Sequence, residues 1–160
     1  MRLLSTHWKR VYAIAWAIWL LDFATKSWAL NSLDSRNPVK LLGDFLQLTL
    51  LKNSGAAFSL AQGATVIFTI FAILVVAAIG YFAPKITSYG WSIVLGLALG
   101  GILGNLTDRI FRSPGFFTGH VIDWIEVPNW PVFNLADSAI VVAASIAVIL
   151  SIRNISPMEA

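Results

Sequence analysis

The sequence predicts an all-α integral membrane protein of four spanning helices with a small sheet at the membrane surface. Three observations lead there. The 160 residues are 58% hydrophobic and only 12% charged, with a mean hydropathy of +0.76, whereas soluble domains carry about 25% charge. Apolar stretches at 11–30, 64–83, 88–106 and 131–152 come up to the ~20 residues that a helix needs to cross a bilayer. Between the first two lies a polar, turn-rich connection, Asn31–Gly63, too long for a simple hairpin and expected to hold structure of its own. One membrane-embedded domain over 1–160 is expected.

The first stretch follows Arg2, Lys9 and Arg10 and begins with the apolar run Val11–Leu21. Such a start resembles a cleavable signal peptide, but Asp22, Lys26 and Trp28 stand where a small-residue cleavage site would be. Asp22 and Lys26 are four apart and share a helix face, so they read as an internal ion pair with Lys26 snorkelling to the interface.

In the connection, Phe45-Leu46-Gln47-Leu48-Thr49-Leu50 alternates with period two, the signal of a half-buried strand. Asn53-Ser54-Gly55 turns the chain, and Ala56–Leu60 reads as a second short strand, placing the sheet within 36–62. By itself Asn53 is an ordinary turn residue.

Ala64–Ala83 is uncharged and ends at Pro84 and Lys85. The third stretch, Ser88–Leu106, repeats Gly96, Gly100 and Gly104 every four residues with Gly101 beside them, a spacing that lets helices approach closely in lipid. It runs into Gly104-Asn105-Leu106-Thr107-Asp108-Arg109, with Asn105 and Asp108 at i,i+3. The loop Ile110–Trp130 carries Asp123. The last helix is read as starting at Pro131, a natural first-turn residue, which sets Asn134 and Asp137 near its start on one face.

The net charge of +3 comes from scattered lysines and arginines rather than a basic stripe, which argues against nucleic acid. With no cysteine and two isolated histidines, neither thiol chemistry nor a metal site is expected, and no cofactor is implied. Four spans put both termini on one side. Counts of Lys and Arg do not orient the chain, but the short basic N-terminal segment and the short Pro84–Lys85 loop favour termini in the cytoplasm. Asp22, Asn53, Asn105, Asp108, Asp123, Asn134 and Asp137 then gather near the opposite face.

Carboxylates near lipid cost about 2.5–3.5 kcal/mol each at a helix centre, so they persist mainly where something uses them. Two held together tend to share one proton. The ionised member can take a proton from water attacking a carbonyl, and the protonated member can donate to that carbonyl's oxygen. The positive start of the last helix favours charge on Asp137, so Asp123 is the expected protonated partner, while coupling between the two carboxylates leaves the site of the shared proton open. Asn105 and Asn134 are candidate supports. The spacing leaves two roles open for Asp108, a helix-end pair with Arg109 or a reacting carboxylate. Two other classes compete: an ion relay through Asp22, Asp108 and Asp137, which the uncharged second span disfavours, and an assembly factor built on the glycine-rich third helix.

Taken in chain order, Asp22, Asn53-Ser54-Gly55-Ala56-Ala57-Phe58, Gly104-Asn105-Leu106-Thr107-Asp108-Arg109, and Asp123 followed by Phe133-Asn134-Leu135-Ala136-Asp137-Ser138 closely resemble the motifs of bacterial lipoprotein signal peptidase, the type II signal peptidase. The resemblance covers nearly the whole chain. It implies a multi-pass aspartyl endopeptidase of the bacterial inner (cytoplasmic) membrane that removes the signal peptide of a prolipoprotein just before its lipid-modified cysteine. It also implies four helices with an extracytoplasmic β-cradle, and inhibition by the cyclic peptide globomycin. Carried onto this sequence, the catalytic dyad is Asp123 and Asp137. Asp22, Asn53, Asn105, Asp108, Arg109 and Asn134 would shape or support the site. The expected partners are lipid-modified prolipoproteins and membrane lipid, with the protein a monomer.

Overall fold

The computed structural model describes residues 7–55 and 63–158. Helix α1 spans Trp8–Ser32, strands β1 and β2 span Val39–Lys40 and Gln47–Asn53, and helices α2 and α3 span Gly63–Phe82 and Tyr89–Phe111. Strand β3, Val121–Glu126, and helix α4, Leu135–Ile152, follow. Among the described residues three helical stretches are long and apolar enough to cross a membrane: Thr65–Lys85, Tyr89–Phe111 and Leu135–Ile152. The α1 helix has the length, 25 residues, but Asp22, Lys26 and its tryptophans lower its apolarity.

Two boundaries differ from the sequence reading by four residues or more. The α3 helix runs on to Phe111 rather than ending at Leu106, so Asp108 and Arg109 are helical. The α4 helix starts at Leu135, not Pro131, because Asn134 takes the cap: its side chain accepts from Asp137 N while the Asp137 carboxylate accepts from Asn134 N. That reciprocal capping box satisfies amides that helix geometry leaves unpaired, and Pro131 stays in the loop before it.

The α3 helix is central, packing on α1, α2 and α4. Its glycines make this possible. A Cβ on Gly96 or Gly100 would come within 2.7 Å of Ile14 or Ile18 of α1, and one on Gly101 within 2.5 Å of Ala136 O of α4. Close backbone approach of this kind drives association where lipid removes the hydrophobic incentive. Val11, Ala15, Ile79, Ala83 and Leu99 form the buried core, while Ile67, Phe71, Leu74, Val148 and Ile152 face outward.

The sheet has the order β1-β2-β3, antiparallel throughout. Its third strand comes from the loop that holds Asp123, outside the 36–62 window in which the sheet was expected, and the strand expected at Ala56–Leu60 lies outside the described residues. Tertiary pairing made β3: Ile122 and Asp123 sit opposite Lys52 and Leu51. The sheet thereby draws the two polar loops together over the ends of α1 and α3.

Candidate active site

Pairing of Asn53 with Val121 and of Leu51 with Asp123 puts the Asn53 and Asp123 side chains on one face of the ladder. Asn53 Nδ2 donates to Asp123 Oδ2 at 2.9 Å, and Asn53 Oδ1 accepts from Gly55 N at 2.8 Å. The turn that makes this second bond needs Gly55 at φ +78°, which glycine adopts without steric cost. With its oxygen so engaged, Asn53 presents its NH2 to the carboxylate.

The other oxygen of Asp123 accepts from Asn134 Nδ2 at 2.6 Å. Asp123 is only 1% exposed. Burial pushes its carboxyl up to about 6, the hydrogen bond from Asn53 opposes that rise, and the charge of Asp137 adds to it. Asp137 accepts from Asn134 N at 3.2 Å on Oδ2 and from Asn105 Nδ2 at 2.7 Å on Oδ1. Asn134 therefore touches both carboxylates.

Behind this pair lies a buried charge cluster. Asp22 Oδ1 accepts from Ala136 N at 2.9 Å, binding α1 to the first turn of α4. Asp22 Oδ2 faces Lys26 Nζ at 2.7 Å, an ion-pair contact rather than an aligned hydrogen bond. Lys26 also reaches Asp108 Oδ2 at 2.9 Å and Asn105 Oδ1 at 2.9 Å. A Cβ on Gly104 would strike Asp22, so that glycine leaves room for the cluster. Asp108 completes its set with Arg112 Nε and with Ile122 N, the latter at 3.1 Å, which fixes the residue before Asp123.

Two expectations are corrected here. Lys26 does not snorkel; it is 0% exposed because three acceptors hold it inside. Asp108 does not pair with Arg109, because adjacent helical residues point apart while i and i+4 share a face, and so Arg112 takes that place. That spacing was a signal available in the sequence. Arg109 instead donates to Asn105 O at 3.3 Å and lines a cavity of about 200 Å³ with Phe68, Phe71, Val75, Ile102 and Ile140. Asp137 and Asp123 both act electrostatically on its guanidinium.

A second groove, about 400 Å³, opens beside Asp137 along Val127, Trp130, Phe133, Val141 and Val142. A larger cavity of about 500 Å³ lies among Tyr12, Trp16, Trp19, Val76 and Leu103 and contains none of these polar residues. Its outward-facing apolar walls suit lipid rather than chemistry. Among the described residues no group of His, Cys, Asp and Glu is arranged to hold a metal ion.

Residues 14–153 match the family model described as signal peptidase (SPase) II. The chain belongs to the signal peptidase II family. Among its relatives, the lipoprotein signal peptidase of Streptomyces coelicolor is 46% identical over 147 residues, covering 92% of this chain and 72% of that protein. The lipoprotein signal peptidase of Streptomyces griseus is 48% identical over 145 residues, covering 91% and 74%. That of Mycobacterium tuberculosis is 44% identical over 144 residues, covering 90% and 71%. A solved structure described as a bacterial membrane enzyme superposes with a TM-score of 0.81 at 25% identity, over 94% of this chain and 97% of that one. Family membership and the apolar helices make this chain a membrane-integral peptidase.

Proposed function

We propose that this chain is an aspartyl endopeptidase that cuts the signal peptide from prolipoproteins just before the diacylglyceryl-modified cysteine, with Asp123 and Asp137 as its catalytic dyad. One observation carries the assignment of the dyad: a single asparagine, Asn134, hydrogen-bonds both carboxylates, from its side chain to Asp123 and from its backbone to Asp137. The names of the relatives supply the substrate class.

In the proposed reaction Asp137 is the base and Asp123 the acid. Water attacks the scissile carbonyl carbon and loses a proton to the Asp137 carboxylate, while the Asp123 proton passes to the carbonyl oxygen. The tetrahedral diol then collapses. Its C–N bond breaks, the departing cysteine nitrogen takes the proton from Asp137, and a diol hydroxyl returns its proton to Asp123. Burial suits Asp123 to the role of acid, since it stays protonated well above the usual carboxylate range. Asn53, Asn105 and Asn134 hold the carboxylates, Asp22 and Asp108 brace α4 and β3, and Arg109 faces the cavity where substrate backbone would lie.

In this reading α1 is a fourth span, its buried charges neutralised by one another. The N-terminal segment, the α2–α3 turn and the C-terminal tail share one end: Arg10 stacks on Tyr89 at 4.0 Å and Thr87 N donates to Pro157 O at 3.1 Å. That end is cytoplasmic, and the dyad lies near the extracytoplasmic face beneath the sheet. The protein acts as a monomer. The apolar grooves beside Asp137 and Arg109 take the hydrophobic signal segment and lipid, and globomycin would compete there.

The test uses purified protein and a synthetic precursor peptide with a diacylglyceryl cysteine. Mass spectrometry should find a single cut on the N-terminal side of that cysteine, with no cut in the unlipidated peptide. A lipidated precursor left intact contradicts the proposal.

A further inference from the structure

Lys26 takes no part in the chemistry above, yet it is a wholly buried ammonium whose third contact is a neutral amide, Asn105 Oδ1 at 2.9 Å. Its other two contacts, Asp22 Oδ2 at 2.7 Å and Asp108 Oδ2 at 2.9 Å, already neutralise it. An ammonium donates and never accepts. Only the oxygen of Asn105 can therefore face Lys26, since turning the amide over would set NH2 against a buried cation. The planar amide then has one direction left for its nitrogen, toward Asp137 Oδ1 at 2.7 Å. Asn134 Nδ2 also reaches Asn105 Oδ1, but at 3.2 Å and without charge, so its hold is the weaker one.

We infer that Lys26 is a positioning residue of the active site, which acts through Asn105 to guarantee that Asp137 meets a hydrogen-bond donor. With the amide reversed, an oxygen would face Asp137, and a hydrogen bond there would require Asp137 to be protonated. A protonated Asp137 cannot take the proton from water. The inference rests on the dyad reading and adds to it the device that keeps the base in its reactive form.

The experiment compares kcat and KM per folded molecule on a lipidated precursor for the parent, Asp22→Asn, Asp22→Asn/Lys26→Met, Asn105→Ala, Asp22→Asn/Asn105→Ala, the triple variant, Lys26→Arg and Asp137→Asn. The Asp22→Asn/Lys26→Met variant removes one buried charge of each sign and leaves Asp108 with Arg112. Relative to Asp22→Asn it should lose roughly 30- to 100-fold in kcat, the scale of a misplaced reacting group, with KM held within about threefold. In the Asn105→Ala background the same change should cost less than about threefold, because the path through the amide is already gone. Lys26→Arg, which still only donates, should recover most of the rate.

Parental kcat in Asp22→Asn/Lys26→Met, or an undiminished further loss in the triple variant, overturns the inference. If Asp137→Asn turns over normally, the dyad reading fails; if it is inactive while Asp22→Asn/Lys26→Met matches the parent, only the role of Lys26 fails. Should the neutral variants not fold, asparagine side-chain NMR of the parent decides. The Asn105 side-chain amide resonances, assigned by their loss in Asn105→Ala, should shift both in Asp137→Asn and in Lys26→Arg, and an amide left unmoved by either substitution overturns the inference.

Discussion

Asn134 Nδ2 lies 2.6 Å from Asp123 Oδ1, so the residue that caps α4 is also a donor to the carboxylate on β3. The two duties are separable. In Asn134→Ala both are lost, and the cap alone is worth about 0.5–2 kcal/mol. Asn134→Ser keeps a cap but is too short to reach Asp123. We expect Asn134→Ser to melt near the parent and Asn134→Ala clearly below it, with both losing most turnover per folded molecule. Thermal melts in detergent beside initial rates check this, and an active Asn134→Ser removes the donor from the account.

Asp108 is the more expensive residue to lose. It balances Lys26 and Arg112 and anchors Ile122 N, and stripping one member from a buried pair costs roughly 3–5 kcal/mol. Asp108→Asn should therefore melt well below Asp123→Asn, while whatever folds keeps measurable activity. A variant that melts like the parent but shows no turnover would put Asp108 into the chemistry.

The buried Asp123 carboxyl leaves a pH signature. Its pKa is about 6 in the folded protein, raised from 3.8 mainly by burial, so the folded state binds the proton more tightly than the unfolded chain. The resulting stabilisation is present below pH 4 and is lost as pH rises through 6, a change of roughly 3 kcal/mol if the whole shift is expressed. Asp123→Asn lacks that group. Melting temperatures of parent and variant from pH 4 to 7.5 should show the parent losing ground to Asp123→Asn as pH rises, and a constant difference contradicts the burial of Asp123.

Orientation is open to chemical labelling because the chain has no cysteine. Lys40, Ser113 and Lys85 are all exposed. Cysteines placed at positions 40 and 113 should react with an impermeant reagent from outside the cell, and one at position 85 only after the membrane is opened. The reverse pattern would put the dyad on the cytoplasmic side.

The α2, α3 and α4 helices were legible from length and apolar runs, and the gathering of Asp22, Asn53, Asn105, Asp108, Asp123, Asn134 and Asp137 into one cluster from their positions near helix ends. The capping box at Asn134 and Asp137 was visible as spacing, although Pro131 drew the predicted start of α4 too early. What the sequence concealed was made by tertiary contact. The β3 strand has no strong alternating pattern of its own and exists because β2 pairs with it. Lys26 looked like an interfacial lysine because its three acceptors come from α1 and from Asn105 and Asp108 of α3, which packing alone brings together. Arg112 was within reach of sequence reasoning, since i,i+4 with Asp108 is the pairing a helix favours, but α3 had been ended before it.

The dyad itself is tested most directly by single-turnover cleavage of a lipidated precursor by Asp123→Asn and Asp137→Asn, with precursor binding measured on the same samples. Each variant should bind precursor within a few-fold of the parent and cleave at least about 10²- to 10⁴-fold more slowly, the range that a general acid or base contributes. Near-parental cleavage by either folded variant would remove that aspartate from the dyad and contradict the mechanism.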